Sequence, residues 1–219
     1  MNSNINIICN NCIGSRLYQI NNIKFNNPFV WTLITIDDFV KLVTNYTTID
    51  FNNIIISLEP NNHLKANSVL ITIDNLVNIH CVHYIYDENY DTPGIKEGSQ
   101  DKDVFFINIK DYAKDKYYNR LTRMNKSNFE LIYSFNYQYL KLTNDEYINN
   151  FNKLVKLTKD GYKILIIMND SCPFRTYCES CESTNLHIIW LNRWECTASH
   201  PSHYKKIQQE YNKFFNKSI

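Results

Sequence analysis

Cys9 and Cys12 stand three positions apart in "IICNNCIGSRLYQ", where a short apolar run gives way to a helical pattern. Such a pair can be half of a metal site, a redox couple, a nucleophile at a helix N-terminus, or two core thiols. A second pair, Cys178 and Cys181, would complete a tetrahedral thiolate set. Zinc knuckles usually come from nearby in sequence, however, and Cys9 falls in an apolar strand that faces the core. A thioredoxin-like couple places its first cysteine at the helix start; here the second one takes that place, and Asn10-Asn11 replaces the usual proline-containing pair. Cys12 at the helix start would sit among orphan backbone N–H groups that favour a thiolate. A thiolate needs a base, and "NIHCVHYIYDE" offers His80 and His83. In an extended strand these point to opposite faces, so at most one of them faces Cys12. The plain alternative for either is a satisfied structural histidine.

The C-terminal stretch "CPFRTYCESCESTNLH" holds a separate group of thiols. Cys172, Cys178 and Cys181, with Cys196 or His187, would suit one zinc. The reading preferred is a loop of reduced thiols, with no cofactor.

The elements that must position these residues alternate. "NINIIC" (4–9) reads as a buried strand and "CIGSRLYQI" as a short helix. "TIDDFVKLV" (35–43) reads as a helix capped by Thr35 or Asp37. Residues 68–86 alternate around Asp74-Asn75 and predict a β-hairpin. Residues 87–103 are polar and turn-rich, an exposed loop. A helix is predicted over 110–127, with Tyr117, Leu121 and Met124 as its buried stripe and Lys116, Arg120 and Arg123 as a basic ridge. A strand at 129–136 follows. Then comes a helix with Tyr147, Phe151, Leu154 and Val155 as its stripe, stopped at Gly161. Strands at 162–168 and 186–191 precede a last helix whose apolar face is Tyr204, Ile207, Tyr211 and Phe214. This order predicts a single α/β domain over 1–219, with a mostly parallel or mixed central sheet flanked by helices.

Composition narrows the function. The chain has 219 residues, 44% hydrophobic, enough for a sizeable core. Only 4 glycines are present, without a phosphate-cradling pattern. A net charge of +1, with both signs interspersed, gives no electrostatic case for nucleic acid. The start lacks a secretory pattern, and no apolar run is long enough to span a membrane. The expectation is a cytoplasmic protein with reduced thiols, 7 being an odd number. Abundant Asn, Ile, Lys and Tyr suggest an AT-rich genome: a bacterium, a protist, or a large DNA virus, which would place the chain in host cytoplasm.

Several motifs occur in a family-like order. Asn10-Asn11-Cys12-x-Gly14, Phe25-Asn26-Asn27-Pro28-Phe29, Ile79-His80-x-x-His83-Tyr84 and Tyr118-Asn119-Arg120-x-x-Arg123 resemble a bacterial domain family of unknown function often linked to exopolysaccharide or capsule biosynthesis. The layout is also similar to a family described as papain-like cysteine peptidases, to whose Pro-Phe-Asp-Trp segment Pro28–Trp31 is close. The resemblance covers about residues 7–136, more loosely to 168. Tyr118 stands where the first family has Trp, Leu121 replaces its second Arg, and Val30 replaces the second family's Asp. The resemblance implies a Cys–His enzyme, hydrolase or transferase, with Cys12 as nucleophile, His83 as base and His80 as its understudy. Asn11, Asn119 or Asp87 would orient the imidazole, and Arg120 and Arg123 would hold an anionic group. A glycan or activated sugar is the implied substrate. Two alternatives stand beside it. One is a glycan-assembly protein, a glycosyltransferase or sugar-phosphate binder, with Asn10, Asn11 and Cys12 shaping a pocket. The other is an interaction protein organised by the C-terminal zinc.

Overall fold

The computed structural model describes residues 6–11, 13–21, 25–30, 32–61, 66–81, 102–124, 129–135, 142–192 and 201–216. In chain order these form β1 (Ile7–Cys9), α1 (Ile13–Ile20), β2 (Thr32–Leu33), α2 (Ile36–Thr44), β3 (Ile54–Asn61), β4 (Ala66–Ile73), β5 (Val77–Cys81) and α3 (Lys102–Leu121). β6 (Glu130–Ser134), α4 (Asn144–Lys159), β7 (Ile164–Asn169), α5 (Arg175–Ser180), β8 (Leu186–Leu191) and α6 (Pro201–Phe214) follow. The α/β class expected from the alternation is what the chain adopts. Its strands divide between a parallel and an antiparallel sheet, in two compact units: Met1–Lys24 with Asn128–Ile219, and Phe25–Ser127.

The first unit carries a four-stranded parallel sheet in the order β1-β6-β7-β8. Every residue of β6 and β7 is buried, because helices cover both faces. Phe135, which extends β6 by donating its N–H to Ile167 O, packs its ring on Tyr147 and Phe151 of α4. Phe151 in turn meets Tyr177 of α5, and Arg175 of α5 stacks on Trp190 of β8. Glu130, of the opposite parity on β6, accepts a hydrogen bond from Tyr211 of α6. His187 of β8 lies 3.0 Å from Glu210 of α6. α1 lies beside α6, with Gln208 donating to Asn21 Oδ1 at 2.9 Å. So α4 and α5 cover one face of the sheet, and α1 and α6 the other.

α4 forms as its sequence directs. Tyr147, Phe151 and Leu154 are its buried stripe, extended by Leu157 and Thr158, with Val155 half-buried. It ends in a Schellman motif: Tyr162 N–H reaches Leu157 O, Gly161 N–H reaches Thr158 O, and Gly161 has φ 94°. It begins with a capping box. Thr143 Oγ1 accepts from the Glu146 N–H at 3.3 Å, and Glu146 accepts from the Thr143 N–H at 2.7 Å. Thr143→Ala is expected to cost about 1 kcal/mol in a urea titration. The Thr143 N–H and hydroxyl hold the Glu146 carboxyl below its usual value. The stability this adds is therefore present at neutral pH and lost as pH falls through the folded-state pKa. In the Thr143→Ala variant, the acid limb of the stability profile should flatten accordingly.

The second unit carries an antiparallel sheet in the order β2-β5-β4-β3. The hairpin expected around Asp74-Asn75 is β4-β5. Its turn closes through Leu76 N–H to Ile73 O, with both central residues at φ 52°, the mirror-image turn that suits strand twist. Val69, Ile71, Ile73, Val77, Ile79 and Cys81 are fully buried and form the core face. α2 is capped by Thr35, whose Oγ1 accepts from the Asp38 N–H, and Asp38 in turn accepts from the Asn78 N–H of β5. α3 is fastened by its tyrosines, Tyr117 donating to Phe51 O and Tyr118 to Asn52 O, each at 3.0 Å.

Candidate functional site: a strand-to-helix corner

The first unit's chemistry concentrates where β1 turns into α1. Cys9 ends the strand in full burial, which pushes its thiol up to about 11. It is a protonated core residue, as its place in an apolar run predicts, and its Sγ donates to Asn11 Oδ1 at 3.5 Å. Asn11 Oδ1 also accepts from the Ile13 N–H at 3.0 Å, satisfying a donor at the start of α1. Tyr18, one face-turn further along α1, reaches back to accept from the Ile7 N–H at 2.8 Å. Gly14 lets the helix lie close on the strand: a Cβ there would sit 2.6 Å from Cys9 Cβ.

Asn10 does the work of another strand residue. Its Oδ1 accepts from the Ser134 N–H at 2.7 Å and its Nδ2 donates to Ser134 O at 3.1 Å. The buried amide thereby continues the β1–β6 ladder past the end of β1. Asn10→Ala would leave both buried Ser134 groups unpaired, at an expected cost of about 2 kcal/mol. Asn10→Asp would keep the acceptor alone and fall between, which urea midpoints of the three proteins would resolve.

This corner has a topological meaning. β1 and β6 are parallel neighbours, yet β1 leads to α1 on one face of the sheet and β6 leads to α4 on the other. Loops leaving adjacent strands in opposite directions open a crevice at their carboxyl ends, where open α/β sheets bind ligands. Asn10, Asn11 and Ser134 stand at that edge.

The remaining predicted site residues divide as follows. Cys12, His83, Asp87 and Cys196 lie outside the described residues. In the second unit His80 is half-buried on β5, paired in register with Leu33 and Leu70, and on the opposite face from Cys81. Asn119 and Arg123 are exposed on or just after α3. Arg120 corrects the expectation of a basic ridge. It is buried, donates to Val30 O at 2.8 Å, and lies over the Phe25 ring at 5.5 Å. It thus ties the Phe25–Phe29 motif to the α3 motif. Burial pushes the thiol of nearby Cys81 up, against the pull of the Arg120 and Lys116 charges.

In the C-terminal cluster Cys172 and Cys178 are buried and Cys181 is half-buried. Among the described residues no three His, Cys, Asp or Glu side chains gather as metal ligands. His187 is instead held between Glu182 and Glu210, each at 3.0 Å. Among those residues, too, no helix is long and apolar enough to cross a membrane. Sequence reasoning missed Ser134 and the role of Gly14. The signal for Gly14 was there: a glycine near the start of a helix, in a chain with only 4.

A family model described as a domain of unknown function, DUF1919, matches residues 1–163. No curated protein matches the chain.

Proposed function

The chain belongs to the DUF1919 family, a domain of unknown function; from its corner geometry and the motif resemblance described above we propose that it is a thiol enzyme of papain-like chemistry, with Cys12 as nucleophile and His83 as general base. One observation carries the reading. The three described members of Asn-Asn-Cys-x-Gly each build the same corner: Asn10 locks it to Ser134, Asn11 satisfies the Ile13 N–H, and Gly14 admits the helix against Cys9. A motif that spends its neighbours on fixing a turn is one that positions the residue between them. The same logic places nucleophiles on strand-to-helix elbows elsewhere.

The reaction is acyl transfer. The Cys12 thiolate attacks an acyl carbonyl, the carbon–leaving-group bond breaks, and His83 protonates the leaving group. The thioester then passes to water or an acceptor whose proton His83 takes. His80 is the understudy, and Asn11, Asn119 or Asp87 orients the imidazole. Arg123, whose head is in solvent, suits an anionic group on the substrate. Arg120 holds the Phe25–Val30 loop to α3 within the second unit. The resemblance to families linked to capsule and exopolysaccharide synthesis points to a glycan or activated-sugar substrate. A panel of acyl esters and thioesters, run on the intact chain and on Cys12→Ala, tests the assignment. Turnover that survives the substitution would overturn it.

A second reading has one observation in its favour. The carboxyl edge between β1 and β6 is the place where open α/β sheets hold nucleotides. On that reading the chain binds a nucleotide sugar for glycan assembly and Cys12 is inert. Saturable nucleotide-sugar binding that Cys12→Ala leaves intact, with no acyl turnover, would decide for it.

A further inference from the structure

We propose that the outer edge of β3 is an interaction surface for a second copy of this chain, whose β3 adds antiparallel across a two-fold axis at Ile56. The inference is independent of Cys12. β3 ends its sheet, and its register with β4 fixes which backbone groups face outward. Asp74 N–H reaches Asn53 O at 2.7 Å, so Asn53 points toward β4, and alternation along the ladder turns Ile55, Ser57 and Glu59 the same way. Ile54, Ile56 and Leu58 therefore turn their N–H and C=O groups away from β4. Pro60 shares that parity, so its missing N–H costs the ladder nothing. Among the described residues no hydrogen bond reaches these outward groups of Ile54, Ile56 and Leu58.

The chain treats its other sheet edges differently. β2 has 2 residues and β1 has 3, too few to template a new strand, and the Ile7 N–H is already bonded to Tyr18. β8, with 6 residues, is the edge that compares with β3, and its outward groups are taken. Ser183 and Leu186 bond each other, Ile188 N–H meets Glu182 Oε1 at 2.9 Å, and Trp190 O accepts from Lys206 Nζ at 2.7 Å. Charge and covering of this kind are how folded chains blunt a long edge. β3 has 8 residues, begins Ile54-Ile55-Ile56 and carries no Lys or Arg; its single charge, Glu59, lies near its end. An edge so long, apolar and unguarded is one that a further strand completes.

That strand must match in length, in apolar parity and in charge, and β3 itself does. With the axis at Ile56, Ile56 faces the partner's Ile56 and Ile54 faces the partner's Leu58. Every outward N–H and C=O of the three residues then finds a partner. Their side chains share the face of Ile73, Ile71 and Val69, so the buried side of the sheet continues across the axis. On the other side Ile55, at 54% the most exposed large apolar residue among the described ones, comes opposite the partner's Ser57. Glu59 falls opposite the partner's Asn53, so no like charges meet. An axis at Ser57 would instead set each Glu59 against the partner's Ile55.

The test is sedimentation velocity of the purified full chain in a dilution series up to about 200 µM. The edge is short, so the expected dimer is a weak one, half dissociated at on the order of 10 µM. Leu58→Pro removes an outward N–H, as Pro60 already lacks one, and should raise the dissociation constant roughly tenfold. Ile55→Lys places a charge on an exposed position of the edge strand and should weaken the dimer roughly fivefold, with far-UV circular dichroism and urea midpoint unchanged. The register has its own readout. Positions 55 and 57 of the two copies form a non-hydrogen-bonded pair, with Cα atoms about 4.5 Å apart, within disulfide reach. Mild oxidation of Ile55→Cys mixed with Ser57→Cys should therefore give a mixed dimer whose disulfide joins positions 55 and 57, mapped by peptide mass spectrometry. A chain that stays monomeric throughout the series would overturn the proposal and leave the edge to an extended segment of a different protein. So would a dimer that both Leu58→Pro and Ile55→Lys leave intact, or the absence of the mixed cross-link.

Discussion

Near about pH 6, Cys12 is expected to alkylate with iodoacetamide roughly tenfold faster than an unperturbed thiol, and His83→Ala should abolish the advantage. The size follows from two opposed effects. An ordinary cysteine has a pKa of about 8.5, so well under one thiol in a hundred is ionised there, whereas an imidazole-paired cysteine is mostly thiolate. Lowering the pKa also lowers intrinsic nucleophilicity, with a Brønsted slope of about 0.4–0.5, which removes much of the gain. The same experiment carries its own controls. Cys9, pushed up to about 11, and the buried Cys81 should stay silent across the range from about pH 5 to about 9. Cys172, drawn down to about 6 by Cys178, should label early too, but for a reason His83 does not share. Its rate should be the same in His83→Ala. Peptide-level readout is therefore essential. A Cys12 rate no faster than Cys181 would demote it to a structural thiol and turn the search to sugar-phosphate ligands.

The sequence told most about the parts whose local chemistry is self-sufficient. Thr35, one of two cap candidates, marks a helix start because a hydroxyl followed three residues on by Asp38 completes its bonds within one turn; Thr143 with Glu146 repeats that pattern, and its signal was missed. Asp74-Asn75 announces a tight turn because few other residues accept positive φ at both places. The corner was legible too, since an apolar strand running into Asn-Asn-Cys-x-Gly changes period abruptly. What could not be read is what depends on partners distant in the chain. β3 begins as an unbroken run, Ile54-Ile55-Ile56, and contains Pro60, so alternation gave no warning of it. α3 starts at Lys102 instead of near 110, because Val104, Phe105, Phe106 and Ile107 have weak helix propensity of their own. Arg120 sits at the spacing of a solvated ridge, and its bond to the Val30 carbonyl, 90 residues away, helps to make its burial tolerable. The division into two sheets is of the same kind, because strand pairing is decided by tertiary packing that no single segment encodes. At the candidate site, Asn10 and Asn11 were legible as important residues, but the bonds to Ser134 and Ile13 that explain them were not.

Gly14→Ala should destabilise the chain by about 3 kcal/mol, even though alanine is the better helix former. Intrinsic propensity favours alanine by about 1 kcal/mol in a helix interior, so the packing loss must exceed that gain. It does so because the added Cβ would meet Cys9 Cβ at 2.6 Å and Cys9 Sγ at 3.5 Å. The first contact cannot be relieved by a rotamer change, since both carbons are fixed by their backbones. One of those backbones is a buried strand paired to β6, and the other is a helix bonded back to that strand through Tyr18. Relief therefore requires α1 to lift from β1, which would also disturb the turn where Asn11 meets Ile13. Cys9→Gly removes the opposing carbon. The double variant should therefore recover more stability than the two single losses would allow if they were additive, a coupling on the order of 1–3 kcal/mol. Additive losses would mean that Gly14 is tolerated for some reason other than close approach. Alkylation of the same variants links the corner to the chemistry. If the corner positions Cys12, its fast labelling should decline in Gly14→Ala and return in the double variant, while Cys172 labelling stays constant in all three proteins.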